Sequence, residues 1–403
     1  MGVGTRPVRR QAFGNVRRRL KRWPALLVAA VLVVVPASVV KAMSSDTGPD
    51  AAPAADRAPT ARAHAVVAKH PVLVYVAPGS ADEARLSGSW IDPRSTIRLD
   101  RTREASVRTV TFFVDEPKKS TRLFAVDRKP PFVVPRKGQL GKRPYSLGAH
   151  SLRADVELKN GRKLGLSLSY TTALTLSVPA SVDAATLQHD IESMPPGALS
   201  VRPSQGAGSF SVSGGDLTLN RASVRLDHAD LAGAVEFDPG SSGSSIVNSK
   251  ALGFSIFGAD DIFVSGNTFD GRGVRNQNVI WDEPAGNTPD GFVIRGNEFR
   301  NFYIDGGDVH SEALYVGYST NGLIEDNDFQ NNGNTSHIFF TWFGTLADPA
   351  TSYPRNMCVR GNTFGPTHGA FFDVNMRGEI PLSANIRVQP GADNARPEFT
   401  KAC

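Results

Sequence analysis

One pattern occurs four times in the second half of the chain and limits the possible folds more than any other feature. The segments FVSGNTF, VIRGNEF, LIEDNDF and CVRGNTF occupy 263–269, 293–299, 323–329 and 358–364. Each reads as a short strand, a Gly-Asn or Asp-Asn bend and a phenylalanine, and glycine and asparagine tolerate the left-handed backbone of a bend. The repetition predicts stacked coils. One column of the core is then expected to contain Phe269, Phe299, Phe329 and Phe364.

A second row of apolar segments follows the bends, at 279–281, 313–316, 338–342 and 371–374. The extra residues of each coil are expected to form loops, where binding residues collect. The repeats resemble the right-handed parallel β-helix of the pectin-lyase-like superfamily, and the whole chain resembles exported bacterial proteins with β-helix repeats. This resemblance implies parallel stacked sheets and a ladder of asparagines inside the bend. We therefore predict an all-β chain in which residues 180–403 form a right-handed parallel β-helix.

A short amphipathic helix is predicted before the repeats, over 183–194. Leu187, Ile191 and Met194 are spaced as i, i+4 and i+7, and Asp183 can cap the first turn. A helix in this position is expected to cover the open end of the β-helix, which would otherwise expose sheet edges.

Residues 71–179 contain short apolar runs separated by turn residues, a pattern typical of a β-sandwich. The clearest strands are 72–76, 110–115 and 164–168, and Asn160-Gly161 predicts a hairpin. The segment YSLGAHSLRADVELKNGRKLGLSLSYT resembles the last strands of bacterial immunoglobulin-like domains. This resemblance implies an immunoglobulin-like β-sandwich that acts as a spacer or a ligand-binding module.

The N-terminus has the pattern of a targeting segment. Residues 1–42 carry nine basic and no acidic side chains, and 24–40 is an uncharged apolar run. This predicts a hydrophobic helix that directs the rest of the chain out of the cytoplasm. Two outcomes remain open: a cleaved signal peptide, and an uncleaved single-pass anchor with its N-terminus inside. Residues 43–70 are rich in alanine, proline and aspartate and predict a flexible linker.

The charge distribution and the cysteine content limit which partners and which cellular location are expected for this chain. Residues 43–180 hold 22 basic and 13 acidic side chains, whereas 181–403 hold 14 basic and 26 acidic ones. Because the largest predicted domain is acidic, nucleic acid is not expected as a partner. The resemblance implies a polysaccharide or cell-wall polymer instead, with the membrane as a second partner if the N-terminal segment stays uncleaved. Cys358 and Cys403 both lie in the exported part, which favours a disulfide between them.

Polar side chains concentrate in the loops around 282–312. The candidates for acid and base chemistry are Asp282, Glu283, Asp308, His310 and Glu312. Aromatic rings can stack on sugars, and an arginine can stabilise developing negative charge; the candidates for substrate contacts are Tyr315, His337, Trp342 and Arg377. His310, His337 and His368 precede successive strands and are expected along one face.

Two reactions are compatible with these residues. A hydrolase needs two carboxylates, drawn from Asp282, Glu283, Asp308 and Glu312. A uronate lyase or epimerase needs a base, for which His310 is the candidate, an acid such as Tyr315, and a group that stabilises charge. The acidic loops could bind Ca²⁺ through oxygen ligands, and no other cofactor is indicated. We predict a protein that binds a polysaccharide and cleaves it as a lyase or hydrolase; the alternative is a non-catalytic surface or adhesion protein.

Overall fold

The computed structural model describes most of the chain after residue 70. The described residues are 71–76, 83–100, 105–115, 122–134, 147–275, 277–282, 286–304, 310–333, 335–341, 352–369 and 372–403. The predicted targeting segment (1–42) and linker (43–70) therefore lie outside the described residues. Within these ranges, no helix is long and apolar enough to span a bilayer.

The first described part, up to residue 172, consists of two sheets packed around one hydrophobic core. Its strands are β1 (Leu73–Val76), β2 (Ala84–Arg85), β3 (Trp90–Ile91), β4 (Thr96–Leu99), β5 (Val107–Asp115), β6 (Arg122–Asp127), β7 (Val133–Val134), β8 (Gly148–Leu158) and β9 (Lys163–Thr172). One sheet has the order β2-β1-β4-β7 and the other β3-β9-β8-β5-β6. β3 pairs with β9 in parallel, and the other pairs are antiparallel. The predicted hairpin is confirmed: β8 and β9 flank Asn160, whose side chain accepts a hydrogen bond from the Arg162 amide.

In the second half, the described residues form three parallel sheets of nine, eight and seven strands. The nine-stranded sheet contains β10 (Leu174–Val178), β12 (Leu199–Pro203), β15 (Val224–Asp227), β18 (Ser245–Val247), β21 (Phe263–Ser265), β24 (Val293–Arg295), β27 (Leu323–Glu325), β30 (Cys358–Arg360) and β33 (Arg387–Val388). The eight-stranded sheet contains β11 (Ser181–Asp183), β13 (Phe210–Ser213), β16 (Ala229–Leu231), β19 (Lys250–Ala251), β22 (Thr268–Asp270), β25 (Glu298–Arg300), β28 (Asp328–Gln330) and β31 (Thr363–Phe364). The seven-stranded sheet contains β14 (Leu217–Leu219), β17 (Ala234–Phe237), β20 (Gly253–Phe257), β23 (Asn278–Trp281), β26 (Glu312–Val316), β29 (Ser336–Phe340) and β32 (Phe372–Met376).

Successive coils contribute strands to these sheets in turn, which is the parallel β-helix arrangement that the repeats predict. The central residues of β21, β24 and β27 are Val264, Ile294 and Ile324; they pair in register and are fully buried. The first strand of the stack, β10, pairs with β12 and directly follows β9 along the chain. Short 3-10 helices occupy Pro239–Ser241, Leu382–Ala384 and Pro397–Phe399.

The predicted phenylalanine column is confirmed. Adjacent ring centroids lie 5.3 Å apart from Phe269 to Phe299, 5.0 Å from Phe299 to Phe329 and 5.4 Å from Phe329 to Phe364. All three pairs are close to parallel, because each phenylalanine occupies the same position of its coil. Burying such a ring contributes about 1.5–3 kcal/mol, so the column is a major part of the core.

The predicted helix is also confirmed. It spans Ala184–Ser193, and the Asp183 side chain accepts a hydrogen bond from the amide of Thr186 at 2.9 Å. Leu187 and Ile191 are buried in the β-helix core, so the helix covers the first coil as expected. At the other end, Cys358 and Cys403 form the predicted disulfide, which attaches the C-terminus to β30.

Candidate functional site

The candidate site lies on the outer face of the seven-stranded sheet. In β26 and β29, Leu314 and Ile338 pair in register and point into the core. Because side chains alternate along a strand, the next pair, Tyr315 and Phe339, points outward. The register continues to Asn375 in β32. The parallel stacking of β26, β29 and β32 therefore brings side chains from distant parts of the sequence onto one surface.

His310 and Glu312 form a hydrogen-bonded pair at the start of β26. His310 Nδ1 lies 3.1 Å from Glu312 Oε1. The Glu312 side chain is fully buried, whereas that of His310 is 63% exposed. When Glu312 is ionised, Nδ1–H must be the donor, because a carboxylate only accepts. The pair therefore places an oriented imidazole at the surface above a buried carboxylate.

The two members of this pair shift each other's ionisation. The hydrogen bond to Glu312 raises the pKa of His310 above its usual value, although partial burial and Arg377 oppose this. Burial raises the pKa of Glu312, and the hydrogen bonds with His310 and Thr335 only partly offset that effect. A buried carboxylate beside an exposed histidine is an arrangement that suits proton transfer.

Two buried side-chain oxygen atoms, one in this pair and one on the neighbouring strand, have no hydrogen-bond partner in the part of the chain that the structure describes. They are Oε2 of Glu312 and Oγ of Ser336. Glu312 and Ser336 occupy paired positions of β26 and β29. The Thr335 hydroxyl lies nearby, 3.4 Å from His310 Nδ1. A buried polar atom that lacks a partner is costly, so its retention here marks an unusual local environment.

Tyr315 and Arg377 complete the polar part of the site. Burial raises the pKa of the Tyr315 phenol, which keeps it protonated at neutral and mildly alkaline pH. Arg377 follows β32, is exposed, and acts electrostatically on both His310 and Tyr315. The site thus contains an imidazole and a phenol at β26 and a guanidinium that follows β32, with β29 between them.

Aromatic rings surround these groups. The His310 ring lies 5.7 Å from that of Phe339, and Phe339 lies 5.6 Å from Tyr315. Trp281 on β23 meets the edge of Tyr315 at 6.1 Å. Phe339 was not singled out from the sequence, although the alternation of the segment 336–340 predicts that its ring points away from the core.

The other acidic candidates do not join His310 and Glu312 in the described residues. Asp282 is buried just beyond the end of β23, whereas Glu312 begins β26. From the pairing of Ile280 with Val316, the two carboxylates lie roughly 15–20 Å apart along the strand direction. That separation exceeds the distance at which two carboxylates of a glycosidase cooperate. Glu283, Asp308 and Trp342 lie outside the described residues.

The three histidines do not share one face. His337 is fully buried, and its ring lies between Phe329 and Phe364, so it faces the core instead of a substrate. Its Nε2 lies 3.0 Å from the carbonyl oxygen of Gly365 and its Nδ1 lies 3.4 Å from Nδ2 of Asn332, so contacts outside its own strand hold the ring inside. Burial lowers the pKa of His337. His368 stacks on Tyr303, with ring centroids 3.8 Å apart.

The acidic loops contain no metal-binding cluster within the described part of the chain. No group of three or more histidine, cysteine, aspartate or glutamate side chains there is arranged to hold a metal ion. The side chains of the described site can supply proton transfer, through His310 and Tyr315, and charge stabilisation, through Arg377.

No protein-family profile and no curated protein matches the chain. Among solved structures, an alginate lyase from Paenibacillus is 14% identical, with a TM-score of 0.29 over 52% of this chain and 79% of that one. A family 28 exopolygalacturonase from Yersinia enterocolitica is 10% identical, with a TM-score of 0.32 over 71% of this chain and 67% of that one. A pectate lyase from Pectobacterium carotovorum is 10% identical, with a TM-score of 0.17 over 80% of this chain and 99% of that one. The β-helix is evident from the three stacked sheets themselves.

Proposed function

We propose that this protein is an exported enzyme that cleaves an acidic polysaccharide by β-elimination. The observation that carries the proposal is the His310–Glu312 pair, in which a fully buried carboxylate accepts a hydrogen bond from a largely exposed imidazole. A carboxylate that binds Nδ1–H keeps the lone pair of the neutral ring on Nε2. His310 is then oriented as a general base toward whatever lies on this face.

In the proposed reaction, His310 Nε2 takes the proton from C5 of a uronate residue. The electron pair of that C–H bond forms the C4–C5 double bond as the C4–O4 bond breaks. Tyr315 donates its phenolic proton to the departing O4, so atoms and charges balance. Arg377 pairs with the uronate carboxylate and stabilises the charge that develops beside C5. The raised pKa of Tyr315 supports its role as the acid, because the phenol is protonated when the reaction begins.

Hydrolysis is less well supported by the geometry. It needs a second carboxylate within about 10 Å of the first; among the described candidates only Asp282 is available, and it lies at the opposite end of its strand from Glu312. An arginine that acts electrostatically on the base suits a substrate that carries its own carboxylate. These two features favour an acidic polymer and an elimination reaction.

Export and the role of the preceding sheets also belong to the proposal. The Cys358–Cys403 disulfide and the basic, apolar N-terminal sequence support an extracytoplasmic location. Two sheets around a single core, whose last strand ends at Thr172, support an immunoglobulin-like module within 71–179, followed by the β-helix domain, which already includes β10. That module would serve as a spacer that holds the β-helix away from the cell surface.

The proposal is tested by replacing His310 with asparagine in the purified protein and measuring cleavage of alginate and of polygalacturonate. Because general-base catalysis contributes typically 10²–10⁴-fold, we expect H310N to lose at least about a hundredfold in rate. The matched control is H228N, since His228 also pairs with a carboxylate, that of Asp227, away from the seven-stranded sheet. Equal activity of H310N and the parent would overturn the proposal. Binding of these polymers without any cleavage would favour a non-catalytic surface protein.

A further inference from the structure

A histidine packs against the phenylalanine column inside the β-helix. The ring centroid of His337 lies 5.8 Å from that of Phe329 and 5.8 Å from that of Phe364, and its side chain is fully buried. Phe329 and Phe364 belong to neighbouring coils, on β28 and β31. A titratable ring is therefore placed among the apolar side chains that hold adjacent coils together.

The hydrogen bonds around His337 fix its tautomer. The Asn332 side chain is oriented by the backbone, since its Oδ1 accepts from the Phe302 amide at 3.2 Å and its Nδ2 donates to the Phe299 carbonyl at 2.7 Å. Nδ2 of Asn332 also lies 3.4 Å from Nδ1 of His337. An amide nitrogen only donates, so Nδ1 must be the acceptor. The proton of the neutral ring then lies on Nε2, which donates to the Gly365 carbonyl at 3.0 Å.

A second proton on this ring conflicts with its surroundings. It would sit on Nδ1 and point at the amide nitrogen of Asn332, so that two donors face each other. The charge would also lie in the core, where it loses its hydration. Burial lowers the pKa of His337 for this reason, although the Gly365 carbonyl and the carboxylates of Asp373 and Asp328 favour the charged form.

The strands around the ring differ in charge. Asp328 belongs to β28 and Asp373 to β32, and both carboxylates are at least partly exposed to solvent, which weakens their effect on a buried ring. The start of β26, which pairs with β29, carries the His310–Glu312 pair. The two residues of β31 are uncharged. The neutral ring is therefore the form that the folded coils accommodate.

The segment that contains His337 also carries part of the candidate site. His337 follows Ser336, which pairs in register with Glu312. Two residues later, the Phe339 ring lies 5.7 Å from that of His310. Loss of the contacts of His337 would loosen β29 from the coil that follows it and would separate the groups of the site.

We infer that His337 is an acid-sensitive lock, which holds neighbouring coils together while its ring is neutral and lets them separate once the ring is protonated. This inference goes beyond the proposed function, because it concerns the stability of the β-helix and does not depend on catalysis. Its consequence for an enzyme would be the loss of the whole site in acidic surroundings, in addition to the reversible protonation of His310.

The direction of the effect follows from the proton affinities of the two states. The unfolded chain binds a proton at His337 near about pH 6.5, whereas the folded chain binds it only at lower pH. The stability that His337 contributes is therefore complete above that pH and is lost as the pH falls below it. Between about pH 7.5 and about pH 5, the unfolding equilibrium constant should rise by up to about 30-fold from this group. The His310–Glu312 pair acts in the opposite sense, because the pKa of each member is raised.

The test compares the parent with His337→Gln by urea denaturation at about pH 7.5 and about pH 5. Glutamine donates and accepts hydrogen bonds but does not titrate. Because each protein is compared with itself at the two pH values, a constant loss of stability in the variant cancels. We expect the acid-induced rise in the unfolding constant to be about 10- to 30-fold smaller in H337Q than in the parent.

The matched control is His189→Gln, which removes an exposed histidine from the helix Ala184–Ser193. This variant should keep the acid response of the parent. If H337Q keeps that response as well, the lock is overturned.

A second measurement uses the parent alone and therefore does not depend on the folding of a variant. Nuclear magnetic resonance of the imidazole should show a proton on Nε2 of His337 and a ring that stays neutral at about pH 5.5. Hydrogen exchange should lose protection in β28, β29 and β31 before the earlier coils as the pH falls. A ring that titrates at about pH 6.5, or that carries its proton on Nδ1, would contradict the lock. None of these measurements uses a substrate, so their outcome is separate from that of the cleavage assay.

Discussion

The burial of the Glu312 carboxylate depends on its hydrogen bond with His310. A carboxylate loses hydration when it is buried, and the loss is tolerable when a hydrogen-bonded cation or donor compensates for it. Here the compensation is incomplete, because Oε2 has no ordinary hydrogen bond among the described residues and burial raises the Glu312 pKa. Such a cost is typical of residues retained for chemistry instead of stability.

The pH dependence of cleavage follows from the same pair. His310 acts as a base only when neutral, so the rate should rise with pH as His310 loses its proton. The hydrogen bond to Glu312 raises the His310 pKa, which places this rise above pH 6.5, the usual value. Replacing Glu312 with glutamine removes the negative charge, lowers the His310 pKa and moves the rise to lower pH.

The pH profile of kcat/KM measured for E312Q and for the parent checks this prediction. We also expect the maximal rate of E312Q to fall by about 10²-fold or more, since the imidazole loses its orientation. A slower variant with an unshifted profile would mean that Glu312 only supports the local structure.

At the scale of elements, two asparagine ladders bind the coils together. In the inner ladder, Nδ2 of Asn267, Asn297 and Asn327 donates to Oδ1 of the asparagine in the next coil, at 2.9 Å in each case. Asn362 ends this ladder against Gln389. An outer ladder connects residues such as Asn331 and Asn301, whose φ values are positive. Asparagine serves the inner ladder because it donates and accepts, while the residue before it adopts the left-handed bend; in the outer ladder the asparagine itself adopts that conformation.

Asn297→Ala should lower the free energy of unfolding by about 3 kcal/mol, because it removes a buried side chain with several hydrogen bonds. The amide and Nδ2 of Asn267 lose their acceptor, and the carbonyl of Val264 loses its donor. Urea denaturation measures the change. The control is Asn331→Gly, at an exposed position where glycine adopts the same φ and the loss should stay below about 1 kcal/mol. Equal losses in the two variants would contradict an energetic role for burial.

At the scale of the whole molecule, the β-helix must protect both ends of its sheets. The helix Ala184–Ser193 covers the first coil, and Arg221 donates hydrogen bonds to the carbonyls of Ile191 and Met194 at the end of that helix. At the other end, Phe399 packs into the core and Cys403 is bonded to Cys358. Covered ends prevent edge-to-edge association with other chains.

Cys403→Ser should lower stability by about 2–4 kcal/mol, since the disulfide closes a loop with a sequence separation of 45 residues. Cys358→Ser and the double variant should lose the same amount, because each change breaks the same bond. Hydrogen exchange should show the loss of protection first in residues 387–403. A double variant markedly less stable than either single variant would show that the cysteine side chains contribute to stability independently of the disulfide.

The fold was largely predictable from the sequence, whereas the site was predictable only in part. The column could be predicted because the bend motif and its phenylalanine recur at the same position of each coil. The helix could be predicted from its apolar spacing and its Asp183 cap, and the disulfide from the two cysteines. Which histidine faces solvent depends on contacts between coils, such as that of His337 Nε2 with the Gly365 carbonyl, and no local pattern encodes these contacts. The distance between Asp282 and Glu312 also depends on a relation between coils. The loop pattern of the sequence groups the two residues together, but the pairing of Ile280 with Val316 places them far apart along the strand direction.

The most direct test of β-elimination is to identify the new chain ends that the purified protein produces from alginate and polygalacturonate. Absorbance of the C4–C5 unsaturated uronate and the number of new reducing ends are recorded in parallel. Elimination at His310 predicts that the two rise together, one double bond for each new reducing end, and that both disappear in H310N. Reducing ends without absorbance, or absorbance that persists in H310N, would contradict elimination by this residue.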